Sequence, residues 1–125
     1  MRPGSGVVIY AIVAAVLIVS FQAMGSDVIE ALRWDREALT KFQWWRLWTG
    51  HLVHASWPHV GLNLLGLVLV AWIFPEPLPL RVQLLRFAWL GLVSSVLMYA
   101  FVPSLGWYVG MSGVLHGSFV LGLWW

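Results

Sequence analysis

From Val7 to Met24 the chain carries no charged side chain, and the same holds from Pro58 to Phe74 and from Trp107 to Trp125. About 20 apolar residues are enough for a helix to cross a bilayer core of roughly 30 Å. Inside that core a chain must satisfy its own backbone hydrogen bonds, so each such run is predicted to be a helix. A fourth run, 82–101, contains one charge, Arg86. The predicted fold class is all-α: a polytopic membrane helical bundle with four transmembrane helices at about 7–24, 58–74, 82–101 and 107–125 and a long loop at 25–57. In 125 residues those spans leave no length for a soluble domain as well.

Composition supports this class and excludes others. The chain is 61% hydrophobic and 10% charged, whereas soluble domains average about a quarter charged. Its ten tryptophans suit a membrane protein, since Trp gathers at the two membrane–water interfaces. A net charge of +2 is too small to suggest nucleic acid as a partner. The absence of cysteine excludes disulfides, thiolate catalysis and Cys-bound zinc. No acidic residue lies in any predicted span, and neither a metal nor a cofactor is expected. One alternative uses the four histidines, His51, His54, His59 and His116, as ligands of a bis-His haem or a metal, with His59 facing His116.

Arg2 precedes the first apolar run, as it would in a signal peptide. Phe21-Gln22-Ala23-Met24 is a poor cleavage site, so a retained first helix is expected. Residues 25–50 mix acidic, basic and apolar side chains, which predicts an interfacial loop with one or two short amphipathic helices. Phe42, Trp44, Trp45 and Trp48 surround Arg46, and that cluster suits the headgroup zone, rings in the boundary and guanidinium in water. Pro58 fits the first turn of its helix, where a missing N–H is harmless. Pro75, Glu76, Pro77 and Pro79 break the chain after the second span. Arg2, Arg81 and Arg86 place both of their ends on the cytoplasmic side, so the 25–57 loop and the 103–106 turn face outward.

Within this layout a polar constellation emerges. Gly110-Met111-Ser112-Gly113-Val114-Leu115-His116-Gly117 sets a serine among glycines in an apolar run. A helical serine is buried cheaply by bonding a carbonyl one turn earlier. Each glycine costs roughly 1 kcal/mol against alanine in a helix, so those at 110, 113 and 117 are read as sites of close approach. His59 and Asn63 are four apart and share a helix face. Both spans enter from the outer side, which puts Ser112, His59 and Asn63 at a similar depth. Polar groups there face a cavity or a partner. A serine opposite two side-chain donors is what acyl transfer requires: one group attacks and the others hold the oxyanion.

The run His54-Ala55-Ser56-Trp57-Pro58-His59-Val60-Gly61-Leu62-Asn63 resembles the second-helix signature of rhomboid intramembrane serine proteases. Trp45-Arg46 resembles the pair in the rhomboid first loop, and Gly110-Met111-Ser112-Gly113 the nucleophile motif. The run at 48–54 and the Gly-Val-Leu-His-Gly tail at 113–117 look most like the small rhombosortase branch, which is thought to process proteins bearing a C-terminal Gly-Gly transmembrane tail. The resemblance implies Ser112 as nucleophile, and an oxyanion hole from its own N–H, His59 and Asn63. It implies supporting roles for His54, His116, Gly110, Gly113, Trp45 and Arg46. His116 stands where many rhomboids have a tyrosine. The partners implied are a transmembrane protein substrate and the lipid bilayer, with the protein in a bacterial inner membrane and its site facing outward. Rhomboids take their general base from a histidine on a sixth helix, so these residues are expected to be the first four of six helices and inactive alone. The competing functional reading is a non-catalytic rhomboid-like binder of transmembrane segments.

Overall fold

A computed structural model describes residues 4–75 and 77–124. Arg2, Glu76 and Trp125, each used in the sequence reading, lie outside the described residues. Helix α1 (Ser5–Ala23) is followed by α2 (Ser26–Leu32), the short strand β1 (Trp34–Asp35), α3 (Arg36–Thr40) and α4 (Arg46–Thr49). Then come α5 (Trp57–Ile73), α6 (Leu80–Phe101), a second short strand β2 (Trp107–Tyr108) and α7 (Ser112–Gly122).

Two described helices, α1 and α6, are long and apolar enough to cross a membrane. At 1.5 Å per residue they measure roughly 28 and 33 Å. The apolar α5 has 17 residues and α7 has 11. The expected four transmembrane helices are therefore not all found. The fourth span was expected from Trp107, but the chain there is extended and turns before α7 starts at Ser112.

The four longest helices close into a ring: α1 packs on α5 and α6, and α7 packs on the same two. Ala14, Ile18, Val60, Leu67, Met111, Val114 and Leu115 fill its centre. The outward faces are apolar too, with Ile12, Val16, Leu62, Trp72, Leu85 and Trp89 all exposed. A helix that is hydrophobic all round suits a bilayer, where the outer face meets lipid.

The 25–57 segment forms three short helices, not one or two, and its arginines do more than wet its surface. The last carbonyls of any helix lack intrahelical partners. Arg36 gathers four carbonyls at and just past the end of α6: Nε donates to Leu105 O (2.9 Å), Nη1 to Tyr99 O (3.0 Å), and Nη2 to Met98 O (3.1 Å) and Val102 O (2.8 Å). Its guanidinium also lies over the Tyr99 ring, 4.6 Å from the centroid, where a cation is attracted to the π face. Arg46 departs from expectation in the same way. It is buried, with Nη1 donating to Glu30 O and Arg33 O at 2.8 Å each and Nε to Gln43 Oε1 at 2.7 Å. Carbonyls of α2 and of its C-cap thus bond it in place of water.

The loop is thereby fastened to the far end of the chain. β1 and β2 pair antiparallel, Trp34 with Tyr108 and Asp35 with Trp107. Arg36 N donates to Gly106 O (2.9 Å), and Gly110 N to Gly50 O (3.0 Å). Trp34 is fully buried beneath this seam.

Lysine in place of Arg36 has one point charge where a planar fork served four carbonyls. Arg36→Lys is expected to destabilise the folded protein in detergent micelles by about 2 kcal/mol, read by thermal unfolding. Lys41→Gln, which breaks only the exposed pair with Glu37, is expected to shift stability by less than about 0.5 kcal/mol.

Candidate active site

The start of α5 sets the first half of the site. Ser56 caps the helix, its Oγ accepting from His59 N at 3.3 Å, and Pro58 occupies the first turn as expected. His59 and Asn63 then fall on one face. Ala55 N donates to His59 Nδ1 at 3.4 Å. With Nδ1 accepting, the hydrogen-bond pattern assigns the imidazole proton to Nε2, which leaves that nitrogen as a donor. Asn63 is buried, and its Nδ2 donates to His59 O at 3.0 Å, which uses one of the two amide hydrogens.

The second half depends on Gly110. Its φ is +115°, a conformation that side chains disfavour, and a Cβ there would lie 2.8 Å from His59 Cε1 and Nε2. The imidazole is thus laid against the backbone two residues before Ser112. Ser112 is the first residue of α7, so the expected bond to a carbonyl one turn back in its helix does not form. Its Oγ lies 2.9 Å from Tyr108 Oη instead. Gly113 and Gly117 do serve close packing: added Cβ atoms would meet Ser94 Oγ at 3.3 Å and Leu90 Cδ2 at 2.7 Å, both on α6.

Ser112, His59 and Asn63 all line one open groove between α5 and α7, about 580 Å³ in volume. Leu62, Leu69, Ile73 and Phe119 make the rest of its walls apolar. No bond joins Ser112 directly to His59 or Asn63; what they share is the space between them.

A family model for the rhomboid domain matches residues 41–125, from just before α4 through the groove and beyond α7. The chain belongs to the rhomboid family. It is accordingly an integral membrane protein. No curated protein matches it. In this rhomboid the matched stretch holds every residue that lines the groove, while α1 and the arginine-capped end of α2 precede it.

The remaining histidines have separate tasks. His51, weighed as a ligand, is buried, with Nε2 3.0 Å from Gly91 O and 3.1 Å from Ser95 Oγ. Ser95 Oγ in turn donates to Leu47 O at 2.6 Å, so His51 latches the loop to α6. His54 is fully buried with its ring edge-on to His59, centroids 4.9 Å apart. Burial first, and then the closeness of a second imidazole at His59, push its own down to about 4. His116 is exposed on the groove wall, and its Nδ1 donates to the Ser112 carbonyl at 2.6 Å, not to the hydroxyl. Trp45 is half exposed, and its Nε1 donates to Ala31 O at 3.4 Å. Among the described residues no three His, Cys, Asp or Glu side chains gather to hold a metal. Sequence reasoning missed Tyr108; the available signal was a phenol four residues before the serine in Trp107-Tyr108-Val109-Gly110.

Two expectations follow from this geometry. Gly110→Ala presses a methyl against the His59 ring at a strained φ, so it is expected to lower stability by about 2 kcal/mol or more, read by thermal unfolding. His54 ordinarily binds a proton near 6.5 and in the fold only near 4. Its contribution to stability is complete above about pH 6.5 and drains away as pH falls through that interval. The unfolding midpoint is expected to drop between pH 6.5 and 4, and to drop less in His54→Leu.

Proposed function

We propose that this rhomboid is a serine endopeptidase that cuts transmembrane segments within the bilayer. Ser112 Oγ attacks the scissile carbonyl carbon, and its proton passes to a general base. The oxyanion that forms is held by the Ser112 N–H, the His59 Nε2–H and the second Asn63 amide hydrogen. The base returns the proton to the leaving amine, and water resolves the acyl-enzyme. The observation that carries this reading is the groove, whose lining includes one hydroxyl and two side chains with donor atoms among apolar walls.

The apolar walls suit a substrate that arrives from lipid as a helix and unwinds near its end. The cleft needs no cofactor or metal for this chemistry. Among the described residues no imidazole bonds the Ser112 hydroxyl; the base is proposed to reach it from the open side of the groove, as the rhomboid pattern implies. The basic residues Arg81 and Arg86 support a cytoplasmic turn before α6 and hence a site facing outward, in keeping with a bacterial inner membrane. The Gly-Val-Leu-His-Gly tail at 113–117 supports placement in the rhombosortase branch, with C-terminal Gly-Gly sorting tails as substrates.

In native membranes, a fluorophosphonate probe is expected to label the full-length protein and a reporter transmembrane segment to be cut by it. Ser112→Ala abolishes both. His59→Ala and Asn63→Ala each slow cleavage by roughly 10² to 10³-fold, the ordinary loss for one oxyanion donor. Binding of the reporter with neither labelling nor cleavage overturns the protease reading in favour of a non-catalytic binder of transmembrane segments.

A further inference from the structure

Opening α7 leaves Ser112 without a carbonyl one turn back in its helix to anchor its hydroxyl. A side chain on a free Cα–Cβ bond turns among three staggered wells. One contact selects a well here, the 2.9 Å approach of Tyr108 Oη. The tyrosine is itself held on several sides. Its backbone pairs with Trp34 across β1 and β2. Its ring meets the His51 ring edge-on, centroids 5.8 Å apart, and His51 is bonded to Gly91 and Ser95 of α6. A Cβ at Gly113 would lie 3.9 Å from Tyr108 Oη and 3.3 Å from Ser94 Oγ. The phenol thus fits a slot between α6 and the first turn of α7.

Either oxygen could donate in the Tyr108–Ser112 bond, and only one arrangement suits a nucleophile. A serine hydrogen given to the phenol is withheld from a base. A phenol hydrogen given to Ser112 Oγ leaves the serine hydrogen free. We propose that Tyr108 is the positioning residue of the nucleophile: its phenol donates to Ser112 Oγ, selects the hydroxyl's rotamer and leaves the serine hydrogen facing the groove. This rests on the reading of Ser112 as the nucleophile. No other described contact does the same work, because His116 engages the carbonyl of Ser112 and His59 engages Gly110.

Tyr108→Phe removes one oxygen and keeps the ring against His51. In native membranes, the limiting rate of fluorophosphonate modification at Ser112 is expected to fall roughly tenfold or more, with the half-saturating probe concentration unchanged. A merely structural role would move both. Trp107→Phe, on the same strand but half exposed and facing Arg33 rather than bonded to Ser112, is expected to change neither. A second measurement does not depend on activity. In protein labelled with 13C at serine Cβ, the Ser112 resonance, assigned by its loss in Ser112→Ala, is expected to shift in Tyr108→Phe and stay in place in Trp107→Phe. An unmoved resonance overturns the proposal, and so does an unchanged rate in a protein that labels. If the wild-type protein fails to label, the protease reading falls, and the resonance alone then decides whether Tyr108 holds the hydroxyl.

Discussion

A helix that ends near a membrane boundary leaves carbonyl oxygens pointing along its axis, and something must bond them. At and just past the end of α6 much of that bonding comes from one side chain, Arg36, reaching four carbonyls from a loop some sixty residues earlier in the chain. The turn after α6, the strand that follows it, and the first residue of α7 all inherit their placement from this clasp. Local forces alone would leave Ser112 at the end of a short apolar helix with no fixed bearing. Arg46 repeats the solution on α2 and secures the platform from which Arg36 works. Charged groups are few in this sequence, and these two are spent on backbone, not on solvent.

The helices were legible where the apolar runs were long and their ends well marked. α1, α5 and α6 lie within two residues of their expected limits, because Pro58 and the proline cluster after Phe74 announce boundaries through fixed φ and missing N–H groups. The face shared by His59 and Asn63 followed from spacing alone. The end of the chain was less readable. The run from Trp107 is as apolar as a span, yet Gly110 adopts a conformation no helix contains, and hydropathy is blind to φ. A two-residue strand pair leaves no periodic trace, so the seam from Trp34 to Tyr108 could not be anticipated. Arg46 looked like an interfacial cation because its partners are carbonyls, which sequence does not display.

The four histidines illustrate how one side chain serves unlike ends in a small membrane protein. His51 latches, His54 packs as a neutral ring, His59 presents a donor, and His116 bonds a carbonyl at the root of α7. The neutral state of His54 suits its setting, since its ring is fully buried and lies edge-on to the His59 imidazole. Tuning here comes from exclusion of water and not from carboxylates, of which the described bundle has none near the groove.

The pairing of Trp34 with Tyr108 has a consequence for how the protein is made. A ribosome delivers β1 long before β2, and the two meet only after α1, the loop, α5 and α6 have found their places. Contacts so distant along the chain close late in folding. The serine four residues beyond Tyr108 therefore takes its setting late.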